Sequence, residues 1–143
     1  MPMDAPVYVS HAEACAYACW SGKKLPSEAE WQRAAVGAKA PADSRTLWDP
    51  PSVGSFPEAK SDFGVEDLLG TGWEWTSTLF SPLPGFEPFP FYRGYSADFF
   101  DGKHFMMKGG SSRTAACMLR PTFRNWFQAH YQYVYAGFRC VTH

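Results

Sequence analysis

The sequence lacks the features that mark membrane proteins and nucleic-acid-binding proteins. No apolar run approaches the roughly 20 residues that span a bilayer, and the N-terminus shows no signal-peptide pattern. The basic residues are scattered and the formal net charge is −1, so the basic patch that nucleic acids require is missing. We therefore expect a cytoplasmic protein that has neither a membrane nor a nucleic acid as its partner.

The sequence also lacks paired cysteines, because none of its four cysteines forms a C-x-x-C pair. Cys15 and Cys19 lie four residues apart on a predicted helix, where one face would bury both thiols. Cys117 lies near Arg113 and Arg120, which could activate it, but the sequence places no histidine beside it. We expect buried structural thiols and keep a reactive Cys117 as the alternative.

Aromatic residues, by contrast, are abundant. They make up 17% of the 143 residues, and the chain also carries 12 glycines and 12 prolines. This composition is typical of a loop-rich fold that is held together by large rings. The length is that of one domain, which we place at residues 1–143.

Two capping boxes predict two short helices. Glu13 follows Ser10 by three residues, and Glu30 follows Ser27 by the same spacing. Each serine can therefore accept an orphan backbone N–H while the glutamate reaches back to the serine N–H. We expect the first helix to end near residue 20 and the second to stop at Gly37.

Alternating or apolar runs predict the strands. Residues 73–76 alternate large rings with polar groups, as a half-buried strand does. Residues 7–9 form a short β-type run, and residues 136–141 are a predicted final core strand. The Pro-, Ala- and Ser-rich residues 38–62 and the proline-rich residues 81–90 are predicted loops.

The segment of residues 95–126 contains the most candidate functional side chains. It has no sustained period, so it is predicted to form short strands joined by turns whose side chains converge on a site. Asp98, Asp101 and His104 within it could hold a divalent ion, but Asp101-Gly102 is also an ordinary hairpin turn. We favour the turn and predict no metal site in this chain.

Four arginines lie in aromatic-rich segments, where burying an unpaired guanidinium would cost free energy. They are Arg113, Arg120, Arg124 and Arg139. Glu74 is the obvious internal partner for Arg124 or Arg139. A role in binding a substrate carboxylate is the alternative, and it suits Arg113 or Arg120 best.

Several motifs resemble the formylglycine-generating-enzyme (sulfatase-modifying factor) domain. They are KLPSEAEW at residues 24–31, GTGWEWT at residues 70–76, KGGS at residues 108–111 and GFR at residues 137–139. The resemblance runs in order from about residue 6 to residue 141. It implies an α+β, C-type-lectin-like fold with two short helices, short twisted antiparallel strands and long loops.

Residues 84–86, 95–104 and 123–126 resemble one branch of that superfamily, the ergothioneine-type sulfoxide synthases and the similar selenoneine synthases. The resemblance implies a non-haem Fe(II) enzyme that joins hercynine, a betaine, to a thiol or selenium donor. It also implies that the iron ligands are histidines of a separate N-terminal helical domain. The lectin-like domain would bind substrates and supply a catalytic tyrosine.

The resemblance suggests individual site residues. Tyr92 and Tyr95 are the two candidates for the catalytic tyrosine, and Trp126 matches the tryptophan of the family's N-W motif. Phe127 and Tyr131 stand where the family often has an Asp and an Arg that hold γ-glutamylcysteine, which suits a smaller or differently charged donor. We expect an aromatic wall that binds the trimethylammonium group by cation–π contact and consists of Trp73, Phe100, Trp126 and Phe127.

Other departures from the family narrow the expected function. Thr114 and Leu119 occupy the places of two copper-binding cysteines, so sulfatase activation is not expected. Thr71 replaces a calcium-site asparagine, which argues against bound calcium. The chain begins partway into the usual domain, so we expect an N-terminally incomplete domain that is inactive alone. The alternative is a non-catalytic, lectin-like module that binds a small molecule.

Overall fold

The structure is a computed structural model that describes residues 3–42 and 48–142. It has the α+β architecture that the sequence predicts. Two helices precede a four-stranded sheet: α1 (His11–Trp20), α2 (Glu28–Ala34), β1 (Gly72–Leu79), β2 (His104–Gly110), β3 (Asn125–Gln128) and β4 (Ala136–Phe138). Short 3-10 helices lie in the connections, at Pro57–Ala59, Arg93–Tyr95, Ala97–Phe99 and Ala116–Met118. Within the described ranges, no helix is long and apolar enough to cross a membrane.

Both predicted capping boxes are present. The Ser10 hydroxyl accepts the Glu13 N–H at 3.3 Å, and the Glu13 carboxylate accepts the Ser10 N–H at 2.8 Å. Ser27 and Glu30 make the same two bonds at 3.2 and 2.7 Å. The first helix ends where it was predicted to end. The second ends at Ala34, three residues before Gly37.

The sheet has the strand order β3-β2-β1-β4. β1 pairs antiparallel with β2, and β2 pairs antiparallel with β3, but β4 runs parallel to β1. The expectation of only antiparallel strands is therefore wrong for β4. The parallel pair places Ala136 opposite Trp73 at one side of the sheet, while β3 forms the other edge.

Three strand predictions need correction. Residues 7–9 form no strand, although the Val9 N–H donates to the Ala136 carbonyl at 2.9 Å. The predicted last strand is shorter, since β4 ends at Phe138 and Val141 makes only an isolated bridge to Lys24. Residues 73–76 are all buried rather than half-buried, because each face of β1 is covered by a helix.

The two faces of the sheet differ in chemistry. On the first, which we call the apolar face, Trp73, Trp75 and Met107 pack against Ala14 and Ala18 of α1. On the opposite face, which we call the charged face, α2 covers alternate residues of the same strands.

The cysteine prediction is wrong for two of the four thiols. Cys15 and Cys140 are partly buried, but Cys19 and Cys117 are exposed. The buried positions of α1 are His11, Ala14 and Ala18, so its residue 19 lies on the solvent side. Residue 117 is exposed because it lies in a 3-10 turn at the surface.

Candidate functional site

Five aromatic residues converge at the β3 edge of the charged face. Trp126 stacks on Phe80 with ring centroids 4.0 Å apart and planes inclined by 6°. Phe99 lies 5.5 Å from Trp126, Tyr95 meets it edge-on at 6.2 Å, and Phe100 lies 4.8 Å from Phe80. We call these five residues the Trp126 cluster. The structure thus brings together three residues predicted for the site, namely Tyr95, Phe100 and Trp126.

The cluster is assembled by three separate elements. Trp126 lies on β3 opposite Met106 of β2, and Phe80 follows directly after β1. Tyr95 and Phe99 come from two successive 3-10 helices in the loop before β2. The five rings therefore meet only when the sheet register and the loop are both formed.

The cluster has a buried floor and an exposed rim. Phe80 is 4% exposed, whereas Tyr95 is 59% and Tyr92 63% exposed. The Tyr92 ring lies 5.8 Å from Tyr95, so both candidate catalytic tyrosines lie on the rim. Ring faces of this kind attract cations, and a tyrosine hydroxyl beside them can donate a hydrogen bond or a proton.

Asp101 and His104 form a turn next to the cluster. His104 Nδ1 donates to Asp101 Oδ1 at 2.9 Å, and the same oxygen accepts the Lys103 N–H at 2.8 Å. These two bonds hold the pKa of the Asp101 carboxyl below its usual range. Gly102 adopts φ +72°, as a turn residue does. Residues 101–102 bend the chain before β2, but a 3-10 helix and not a strand precedes them, so the predicted hairpin is not formed. His104 lies edge-on to Phe99 at 5.2 Å.

Three charged residues form a network between the cluster and α2. Arg124 donates to both carboxylate oxygens of Glu28, through Nε at 2.9 Å and Nη2 at 3.0 Å. Lys108 Nζ lies 3.4 Å from Glu28 Oε1, and the Lys108 side chain is fully buried. Burial lowers the pKa of Lys108, and the attraction to Glu28 partly offsets that effect. We call these residues the Glu28 network.

A second ion pair occupies the middle of the charged face. Arg139 donates to Glu74 through Nε at 2.6 Å and through Nη2 at 2.5 Å. The Trp31 indole N–H donates to the same carboxylate at 2.6 Å. Burial alone would lower the pKa of Arg139, but Glu74 holds it above its ordinary value. Glu74 is therefore an internal partner as predicted, for Arg139, whereas Arg124 pairs with Glu28.

Sequence reasoning missed Glu28 and Lys108 as residues near the site. Glu28 occupies the first position of α2, where an acidic residue is explained by the helix dipole alone. Lys108 follows two methionines on β2. A lysine inside an apolar strand is unusual, and this signal could have identified it from the sequence.

The predicted aromatic wall is not one surface. Phe127 neighbours Trp126 on β3, and successive strand residues point to opposite faces of a sheet. Phe127 therefore packs on the apolar face, where it stacks on Tyr131 with centroids 4.3 Å apart. Trp73 is also on the apolar face, with its ring 6.1 Å from Phe123.

The two arginines proposed for a substrate carboxylate lie away from the Trp126 cluster. The Arg113 guanidinium lies over the Trp48 ring at 4.5 Å. Arg120 lies over Phe123 at 5.3 Å and donates to the Cys117 carbonyl at 2.6 Å. The nine predicted site residues therefore fall into several groups, and Tyr92, Tyr95, Phe100 and Trp126 form one of them.

A large cleft lies at the other side of the sheet. Its volume is about 890 Å³, and its lining includes Tyr8, Asp67, Trp73 and Arg139. The cleft is bounded by β4 and by the segment that precedes α1. Of the predicted site residues it contains Trp73, which separates Trp73 from the group around Trp126.

Comparison with known proteins agrees with this architecture. The model of the sulfatase-modifying factor enzyme 1-like domain matches residues 2–49 and 41–143. A solved structure, PvdO from Pseudomonas aeruginosa, superimposes with a TM-score of 0.68 at 19% identity, over 94% of this chain and 60% of that one. This likeness supports the fold.

Two curated relatives are closer in sequence. Hercynine oxygenase of Mycobacterium tuberculosis is 38% identical over 159 residues, which cover 97% of this chain and 37% of the relative. Ergothioneine biosynthesis protein 1 of Schizosaccharomyces pombe is 36% identical over 150 residues, 99% of this chain and 19% of the relative. The chain thus spans less than two-fifths of the length of either relative. It belongs to the sulfatase-modifying factor enzyme 1-like family and resembles the hercynine oxygenase branch of it.

Proposed function

We propose that this chain is the substrate-binding domain of an ergothioneine-type sulfoxide synthase and that the Trp126 cluster binds a hercynine-like betaine. The observation that carries the proposal is the cluster itself, a set of five rings with a buried floor and an exposed tyrosine rim. Two curated relatives that are named for hercynine oxygenation and for ergothioneine biosynthesis support it.

The trimethylammonium group of the betaine would lie against the ring faces of the cluster. A desolvated cation–π contact of this kind contributes about 1–2 kcal/mol. Among the described residues near the cluster, Glu28 already forms a salt bridge with Arg124. The rings would give the site its selectivity for a methylated, weakly hydrated cation over a primary ammonium.

Tyr95 is the better of the two candidates for a proton donor in this proposal. Its ring contacts Trp126 directly, whereas the Tyr92 ring lies against Tyr95. A hydroxyl beside the bound substrate can supply a proton to the reacting centre. Tyr92 would then contribute to the rim rather than to the chemistry.

The described residues do not provide a site that fits iron. They contain no group of three or more His, Cys, Asp and Glu side chains close enough to hold a metal ion. We therefore propose that Fe(II) is held by a helical domain outside this sequence, and we assign no catalytic step to iron here. The second substrate, a thiol or a selenium donor, would reach the betaine from the exposed rim.

A non-catalytic binding module is the second candidate function. It is favoured by the same observation, that the described residues contain no group of potential metal ligands. The first function requires betaine binding and turnover, whereas the module requires only the binding of a small molecule without turnover. If the chain is part of an oxygenase, adding an iron-loaded helical domain from a relative should restore O₂ consumption with hercynine, and Tyr95→Phe should reduce it.

Titration with hercynine, followed by tryptophan fluorescence and calorimetry, tests the proposal. We expect saturable binding that weakens roughly tenfold or more in Trp126→Ala. The matched control is Trp20→Ala, since Trp20 is 81% exposed on α1 and lies on the apolar-face helix. Unmethylated histidine should bind much more weakly than hercynine. Absence of hercynine binding, or equal binding of histidine, would contradict the proposal.

A further inference from the structure

Arg124 connects the Glu28 network to the Trp126 cluster. Two of its nitrogens are fixed by the Glu28 carboxylate, and Nη1 donates to the Ser81 carbonyl at 3.0 Å. The guanidinium also lies over the Phe80 ring, 5.2 Å from its centroid. One side chain thus holds the α2 N-terminus, the start of the loop that carries Tyr95, and a ring of the cluster.

Phe80 transmits that constraint to Trp126. It is 4% exposed, and its backbone N–H donates to the His104 carbonyl at 2.8 Å. Its ring contacts the guanidinium of Arg124 and stacks at 4.0 Å on Trp126. Because Phe80 is buried and held on several sides, the orientation of Trp126 depends on what holds Phe80.

Glu28 is itself fixed before it meets Arg124. Its backbone N–H donates to Thr78 Oγ1 at 2.8 Å, which ties α2 to β1. Its carboxylate also faces the buried Lys108 at 3.4 Å. The loss of Glu28 would leave two cations together in a poorly hydrated place, whereas the loss of Arg124 leaves Glu28 still paired with Lys108. Arg124 is therefore the residue that can be changed with the smaller effect on folding.

We propose that Arg124, held by Glu28, is a positioning residue that fixes Phe80 and thereby Trp126 in the orientation that binds the substrate cation. The planar guanidinium serves both the bidentate bond to Glu28 and the contact with the Phe80 ring, whereas a lysine ammonium cannot form the bidentate bond and cannot stack a planar group on the ring. Glu28 has a second effect, since its charge offsets that of Arg124 beside a site meant for cations. The ligand part of this inference rests on the proposed function, but the positioning does not.

The indole N–H signals of the tryptophans in a two-dimensional NMR spectrum test the positioning without any ligand. The Trp126 signal is assigned by its loss in Trp126→Phe. We expect Arg124→Lys to shift or broaden the Trp126 signal and to leave that of Trp20 in place. The matched control is Arg33→Lys, because Arg33 on α2 also lies over a phenylalanine ring, 4.7 Å from the centroid of Phe63, and Phe63 is not part of the Trp126 cluster.

Binding completes the test, with hercynine and tetramethylammonium as the probes. Arg124→Lys should weaken both roughly three- to tenfold, as expected when a cation–π contact is misaligned, while Arg33→Lys should bind like the unchanged protein. Arg124→Gln lacks the charge and also the bidentate bond to Glu28. If Arg124 positions Trp126, Arg124→Gln should weaken binding at least as much as Arg124→Lys does. An unchanged Trp126 signal and unchanged affinity in Arg124→Lys, with only a lower Tm, would overturn the proposal. If the unchanged protein binds neither probe, the proposed function fails, and the NMR signal alone then decides whether Arg124 positions Trp126.

Discussion

Each face of the sheet packs against one helix, but the contacts on the two faces differ in chemistry. On the apolar face, small α1 residues meet Trp73 and Trp75, and the contacts are almost entirely apolar. On the charged face, α2 places Trp31 against a buried carboxylate, Glu74, and the Glu28 network lies beside it. An apolar contact tolerates small shifts, whereas a bidentate ion pair fixes direction. Orientation is thus specified on the face that leads to the Trp126 cluster.

Trp75 and Trp126, which lie on opposite faces of the sheet, differ in burial and in partners. Trp75 is fully buried on the apolar face, and its indole N–H donates to the Val9 carbonyl at 2.8 Å. Trp126 is only partly buried, and its contacts are with other rings of the cluster. The first tryptophan stabilises the fold, and the second is available to a ligand.

The largest expected effect separates these two tryptophans. Trp75→Ala should lower the free energy of unfolding by about 3–5 kcal/mol, because it leaves a large cavity in the core. Trp126→Ala should cost no more than about 2 kcal/mol, since its site is open to solvent. Urea denaturation followed by circular dichroism measures both. Equal losses for the two variants would remove the distinction between the faces.

A smaller loss of stability is expected when the matching N-cap serine of either helix is replaced. Ser10→Ala and Ser27→Ala should each cost about 1 kcal/mol, since each removes one N-cap hydrogen bond. Only Ser27→Ala loosens the turn that presents Glu28 to Arg124, so only this variant should shift the Trp126 indole signal. Denaturation and NMR spectra of both variants check this. A shift of the signal in Ser10→Ala would show that the faces are coupled.

The smallest effect is a pH dependence that belongs to the apolar face. His11 is 5% exposed and stacks on Phe105 with ring centroids 3.7 Å apart. Its Nε2 donates to the Thr76 carbonyl at 3.1 Å. The Cys15 sulfur lies 3.7 Å from both ring nitrogens. Burial lowers the pKa of His11 below 6.5, and the bond to Thr76 only partly opposes this.

The sign of the effect follows from proton binding. Below the unfolded pKa of His11 the unfolded chain takes up a proton that the folded chain does not, so the free energy of unfolding falls as the pH decreases. Denaturation curves between about pH 7.5 and 5.5 should show this loss, and it should be smaller in His11→Phe. A loss of the same size in that variant would assign the effect to other groups.

Local patterns allowed part of this structure to be predicted. The capping boxes depend on residues three positions apart, and both form as expected. A bend also forms at Asp101 and Gly102, although no strand precedes it to make the predicted hairpin. The face on which a strand residue lies was not predictable in the same way. Phe127 and Trp126 were assigned to one wall because both are aromatic, but strand alternation separates them.

Contacts between distant residues were the other source of error. The Arg124–Glu28 bond joins residues 96 positions apart, and nothing in either local sequence indicates the pairing. Glu74 was correctly identified as an internal partner because the two flanking tryptophans implied burial, and a buried carboxylate needs a cation. Which arginine would reach it depended on β4 running parallel to β1, which the sequence did not indicate.

That parallel pairing also determines when the protein can fold during its synthesis. Trp73 and Trp75 of β1 meet Ala136 and Phe138 of β4, and Lys24 exchanges backbone hydrogen bonds of 3.1 and 2.8 Å with Val141. The apolar face therefore stays open while residues 80–135, which separate β1 from β4, are translated. Pairings of such long range form slowly and expose apolar surface in the meantime. Residues 136–141 must therefore leave the ribosome before the core can close, so the core forms late in the synthesis of this sequence.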